Sequence, residues 1–96
     1  MTRPGPEDAL LAVADYFGVA PSDLRGNAKR AHLRRPSRVL CLVLAAELEY
    51  SHASIGQLLG VGATSVRKRL MHSDAEDIAD AHRVVGILDR RTGRAA

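Results

Sequence analysis

Residues 51–71 read SHASIGQLLGVGATSVRKRLM, two short apolar patterns separated by a glycine-bounded turn. Ile55, Leu58 and Leu59 recur at i, i+3 and i+4, the spacing of one buried helical face. Val66 and Leu70 repeat the i, i+4 step on a second short helix. Gly60 tolerates positive φ without steric cost, so it is placed to end the first helix in a tight turn. Val61 then points back into the angle between the helices. Gly56, one turn before Gly60, leaves room for the second helix to cross closely. This is the pattern of a helix-turn-helix, whose second helix lies in the major groove of DNA.

The second helix divides into two faces. Val66 and Leu70 turn inward. Ala63, Thr64, Arg67 and Lys68 face forward, with Ser65 and Arg69 on the flanks. Small residues at the front let the backbone approach base edges. Thr64 brings a methyl and a hydroxyl, and Arg67 and Lys68 reach guanine acceptors or phosphates. The alternative is an ordinary helical hairpin with a solvated basic face. The run Arg67-Lys68-Arg69, with no acid from Tyr50 to Ser73, favours duplex DNA.

Working outward, Ser37 to Glu49 is predicted as the core helix, because Val39, Leu40, Leu42, Val43, Leu44 and Leu48 cover nearly its whole circumference. Glu47 and Glu49 at its end oppose the helix dipole, a small cost for nearby Arg or Lys to offset. Ser51, His52 and Ser54 compete to cap the next helix. Downstream, Ser73-Asp74-Ala75-Glu76 has the pattern of a capping box. It predicts a last helix with Ile78, Ala81, Val85 and Leu88 as its buried stripe, and Val84 and Ile87 beside it. The tail from Arg90 to residue 96 is expected to fray.

Upstream of the core helix, RGNAKRAHLRRPSR (Arg25 to Arg38) carries six basic residues and no acid. Proline lacks a backbone donor, so Pro36 is read as the first turn of the following helix and the stretch before it as a basic loop. Long loops are often functional. This one is expected to lie along phosphates or a minor groove, with Lys29 and Arg30 reaching in and Arg34, Arg35 and Arg38 in support. The alternative is a solvated connector. Nearer the N-terminus, Pro21 to Leu24 looks like a single helical turn anchored by Leu24. Pro6-Glu7-Asp8 opens a helix whose stripe is Leu10, Val13, Ala14 and Phe17, widened by Leu11 and stopped at Gly18. Residues 1–5 are a Pro/Gly tail expected to be disordered, which leaves 6–89 as one domain.

Composition agrees with this outline. At 96 residues and 46% hydrophobic, the chain supports one modest core. Its three aromatics, Tyr16, Phe17 and Tyr50, leave that core aliphatic, and no stretch alternates apolar with polar, so the expected class is all-α with about six short helices. The formal net charge is +3, but Arg25 to Arg69 holds nine Lys or Arg and two acids. Such polarity points to a polyanionic partner. A membrane is disfavoured: the longest apolar run, Val39 to Ala46, is eight residues, against about 20 needed to cross a bilayer. The N-terminus has no apolar core, so no secretory signal is read and a cytoplasmic, nucleoid-associated location is expected. The single Cys41 sits in an apolar run and reads as a small buried hydrophobe. Four histidines (His32, His52, His72 and His82) lack metal-ligand spacing, and no phosphate-binding loop is present. No enzyme, cofactor, metal or small-molecule substrate is therefore expected.

Taken together, VADYFGVAPSDL at 13–24, RRPSR at 34–38, LAAEL at 44–48, SHASIGQLLG at 51–60 and Thr-Ser-Val at 64–66 resemble the C-terminal, duplex-binding domain (domain IV) of the bacterial replication initiator DnaA. The resemblance runs from about residue 7 to residue 88. It implies a Trp-repressor-like helix-turn-helix fold, a base-reading role for Thr64 and Ser65, and a minor-groove role for Lys29, with Arg30 beside it. In that family a Gly-Gly turn leads into Arg-Asp-His-Thr-Thr-Val. Here the turn is one residue shorter and the Asp-His pair is absent, so a different target box is expected. The resemblance implies a stand-alone copy of one domain, without the ATPase, in a regulatory or accessory use.

The functional expectation is a non-enzymatic duplex-DNA-binding protein acting in replication initiation or transcription regulation. The candidate DNA-binding residues are Lys29, Arg30, Arg34, Arg35, Arg38, Ser54, Ala63, Thr64, Ser65, Arg67 and Lys68. With about six phosphates neutralised, log K is expected to fall with log[salt] at a slope near −5. The alternative is a protein-interaction module that regulates the initiator or its partners, a reading favoured by the missing Asp-His pair.

Overall fold

The computed structural model describes residues 5–26 and 30–92. Six α-helices run in the order α1 (Pro6–Phe17), α2 (Pro21–Leu24), α3 (Ala31–Leu42), α4 (His52–Leu59), α5 (Ala63–Met71) and α6 (Ala75–Thr92), with a π-helical turn, Val43–Glu47, continuing α3. Among the described residues there is no strand. The all-α expectation holds. The core is aliphatic: Leu10, Val13, Leu24, Val39, Leu40, Val43, Leu44, Leu48, Ile55, Leu59, Val66 and Leu88 are all essentially solvent-free. At roughly 1.5–3 kcal/mol per fully buried aliphatic side chain, this cluster is the main source of stability. Cys41 is fully buried, as expected.

α3 is the central element, packing on α1, α2, α5 and α6. It also differs most from expectation. Residues 31–38 are helical rather than a loop, and α3 starts six residues before Ser37. The proline rule fails here because the apolar period runs straight through it: Leu33, Pro36, Ser37 and Leu40 are all buried. An interior proline costs about 3 kcal/mol. Burying Leu33 alone offsets much of that, and the bond lost to His32 lies in the exposed first turn.

The far end of α3 also departs from a plain helix. Leu48 N–H donates to Val43 O (2.9 Å), and Tyr50 N–H reaches back to Leu44 O (2.8 Å). This wider turn ends at Glu49, a non-glycine residue at φ 61°. Glu47 Oε1 lies 3.0 Å from His82 Nε2 rather than beside an Arg or Lys.

Further expectations are corrected in α6 and α1. The capping box of α6 is formed by Asp74 and Asp77, not Ser73 and Glu76: Asp77 N–H donates to Asp74 Oδ1 (2.8 Å) and Asp74 N–H to Asp77 Oδ2 (3.2 Å). The Ser73 hydroxyl instead donates to Arg69 O (3.1 Å) and belongs to the end of α5. The buried stripe of α6 is Asp77, Asp80, Ala81, Val84 and Leu88, while Ile78 is 45% exposed. Carboxylates that ion-pair with α3 take the inward positions and rotate Ile78 outward. Leu11 is also exposed, so α1 buries its alanines, Ala9, Ala12 and Ala14, beside Leu10 and Val13. α6 continues to Thr92, past the expected fraying point at Arg90. The tail at 1–4 and the last four residues lie outside the described residues.

Candidate nucleic-acid interface

α4 and α5 form the expected pair of short helices. Ser51 caps α4 by accepting from Ser54 N–H (3.1 Å), which decides the three-way competition for that role. Gly60 ends α4 in the left-handed conformation at φ 72°. The crossing is close: a Cβ on Gly56 would lie 2.6 Å from Val61 O. Val61 N–H donates to Gly56 O (2.9 Å), and Val61 packs against the core. The turn is thereby fixed from both sides.

On α5, Val66 is buried and Leu70 half-buried, while Ala63, Thr64, Arg67, Lys68 and Met71 are exposed and Ser65 is intermediate. Thr64, Arg67, Lys68 and Met71 fall at i, i+3, i+4 and i+7, one stripe along the outer face. Arg67 and Lys68 have no ion-pair or hydrogen-bond partner among the described residues. Ser54 is exposed, and its hydroxyl accepts from Ser51 Oγ (3.0 Å). It also borders an apolar groove of about 400 Å³ lined by Pro6, Leu44, Tyr50, Ile55 and Leu58.

The arginines of the upstream segment divide by which side of α3 they occupy. Arg35 pairs with Glu76 (Nη1–Oε2 2.8 Å) and with Asp80. Arg38 Nε donates to Asp77 Oδ2 (2.7 Å). These two are bonded to α6 within the chain and keep partial exposure. The hydrogen bonds that Arg35 donates to Glu76 and Asp80 raise its pKa further. Burial pushes the Asp80 carboxyl up, but bonds from Arg35, Tyr16 and Arg83 outweigh it and hold it below the usual carboxylate range.

Arg30, the N-cap of α3, and Arg34 are exposed and have no such partner among the described residues. Arg34 and Cys41 are seven residues apart and so share one stripe of α3, about 10 Å apart along the axis. Arg69 of α5 lies against Cys41: burial pushes the thiol up and the nearby guanidinium pulls it partly back. Arg30 and Arg34 thus continue the side of α3 that meets α5. Lys29 lies outside the described residues.

Two features escape a reading of the sequence by local rules. Arg69, expected on a flank, turns inward and donates to Gly26 O (3.1 Å). The buried acids Asp77 and Asp80 hold the arginines that the charge count assigns to a loop. The signal lies in the spacing, since Arg35 and Arg38 at i, i+3 match Asp77 and Asp80 at i, i+3 on a second helix.

Among the described residues no helix is long and apolar enough to cross a membrane, and no group of three His, Cys, Asp or Glu is placed to hold a metal ion. All four histidines are exposed. Compared with known proteins, the chain matches no family model and no curated sequence.

Proposed function

We propose that this chain is a non-enzymatic, duplex-DNA-binding protein. α5 enters the major groove with Ala63, Thr64, Arg67 and Lys68 forward and Ser65 at the side. Arg30, Arg34 and the Ser54 hydroxyl take phosphates. The observation that carries the reading is the division among the cations. Arg25, Arg35, Arg38 and Arg69 are bonded within the chain. Arg30, Arg34, Arg67 and Lys68 remain without partners among the described residues, on or beside the α3–α5 side. The motif resemblance to the initiator's domain IV belongs to the same proposal, with replication initiation or transcription regulation as the process served.

Counted over the described residues alone, four uncommitted cations lower the expected electrostatic contribution. If each neutralises one phosphate, log K falls with log[salt] at a slope of about −3.6, shallower than the −5 expected from the charge count. Selection from a random duplex library followed by a salt titration tests this. Arg67→Ala should cost ~1–3 kcal/mol and relax preference at one position if it touches a base, whereas a uniform loss across sequences marks a phosphate contact. Absence of measurable duplex binding at low salt would refute the proposal.

The second reading, a protein-interaction module acting on the initiator or its partners, rests on the missing Asp-His pair ahead of Thr64. It predicts weak binding to duplex with no preferred sequence.

A further inference from the structure

The turn that follows α2, at Arg25 and Gly26, is stitched to α4 and α5 at three points. Arg25 Nη1 donates to Leu58 O (3.3 Å). Gly26 N–H donates to Leu59 O. Gly26 O accepts from Arg69 Nη2 (3.1 Å). The Gly26 peptide is therefore gripped by the last carbonyl of α4 on one side and by an α5 side chain on the other. Gly26 holds φ 81°, so its orientation is specific. The Arg69 side chain is half-buried: its Nη1 is shut off from solvent and the guanidinium lies near Cys41. A cation enclosed in this way is not free to reach a phosphate, although Arg67 and Lys68 beside it are.

We propose that Arg69 is a positioning residue, a strap from the recognition helix to Gly26 that holds α5 against the turn after α2 and the end of α4, and is not itself a contact to DNA. The consequence for DNA rests on the duplex reading above. The strap would reinforce the direct packing of α3 on α5, which makes the two cationic groups one unit: Arg67 and Lys68 on α5, and Arg30 and Arg34 on α3. A bound duplex then meets a preset spacing rather than two independent arms.

The test combines amide exchange with a double-mutant cycle. In Arg69→Met, which keeps a long stem for packing, the Gly26 amide should exchange faster while amides of α1 and α6 do not change. Duplex affinity should fall about tenfold, as for loss of a charged hydrogen bond. Adding Arg69→Met to Arg30→Ala should lose less than about threefold more, since both act on the same unit. Arg69→Lys should restore protection at Gly26 and affinity in parallel. Unchanged exchange at Gly26 in Arg69→Met would overturn the strap. So would full multiplication of the two affinity losses, or a Lys variant that recovers affinity but not protection, because either makes Arg69 a phosphate contact. If the unaltered protein binds no duplex, the DNA reading fails separately, and the exchange measurement still decides whether Arg69 holds Gly26.

Discussion

Gly56→Ala sets two effects against each other. In an ordinary helix interior, alanine is favoured over glycine by about 1 kcal/mol. At Gly56 the new Cβ would stand 2.6 Å from Val61 O, 3.4 Å from the Gly62 carbonyl carbon and 3.5 Å from Ala63 N. All three are backbone atoms of the turn, so no side chain can swing aside and α5 must move. Overpacking of this kind costs roughly 1–3 kcal/mol. The shift also strains the Val61 N–H bond to Gly56 O, worth about 1 kcal/mol. The net expectation is a loss of about 1–3 kcal/mol despite the better helix propensity. Gly86→Ala is the matched control: it lies inside α6, and a Cβ there meets nothing within 4 Å. That variant should gain about 0.5–1 kcal/mol. Urea denaturation of the three proteins, with m-values compared, reads both numbers. A Gly56→Ala protein as stable as the parent, while Gly86→Ala is stabilised, would refute the close crossing and the placement of α5 that depends on it.

The remaining expectations concern the ion-paired seam and the end of α3. Asp77 is fully buried, with Arg38 and the α6 cap both on Oδ2, so Asp77→Asn should cost about 2–3 kcal/mol in the same denaturation assay. Because the folded Asp80 carboxyl titrates below its unfolded value, its contribution is present above about pH 4 and is lost as pH falls through the folded value. The stability gap between the parent and Asp80→Asn should therefore be widest near neutrality and narrow in acid, and a pH-independent gap would contradict the Arg35–Asp80 pairing. Glu49 is exposed at φ 61°, so Glu49→Gly should relieve left-handed strain and stabilise by roughly 0.5–1 kcal/mol in thermal unfolding.

The parts of the fold legible in the sequence are those governed by local rules in which a single effect prevails. Gly18 and Gly60 end helices in the left-handed conformation, Leu24 anchors a single turn, and Val66 faces the core. Each needs only helical spacing and backbone sterics. The parts that are not legible depend on a distant partner. The local cost of Pro36 predicts a helix start, but the burial of Leu33 and Leu40 on either side, supplied by other helices, keeps the chain helical through it. The apolar character of Ile78 predicts an inward position, yet the inward positions belong to Asp77 and Asp80, because Arg35 and Arg38 on α3 compensate their charge. Apolar periodicity cannot register a face whose burial is electrostatic. The forward face of α5 is legible for the opposite reason: it contacts no other part of the described chain that would overrule the pattern.

The division of the arginines bears on how so small a net charge could serve a polyanion. Arg34 and Arg35 are adjacent in sequence, and a rotation of about 100° separates an unpartnered cation from one bound to α6. The bound set is not wasted for the proposed function. Glu76, Asp77 and Asp80 would each repel a phosphate, and Arg35, Arg38 and Arg83 neutralise them at contact distance. An acid neutralised within hydrogen-bond distance projects little field beyond a Debye length, about 8 Å at physiological salt. What remains for an approaching duplex is the field of the unpaired cations, with no acid between Tyr50 and Ser73 to cancel it. The seam between α3 and α6 thus fixes the helix against which α5 packs and, on the proposed reading, also silences charges that would oppose DNA. Opening that seam with Asp77→Asn should raise the net positive charge by one and still weaken duplex binding, because four cations on a loosened frame no longer present a single spacing.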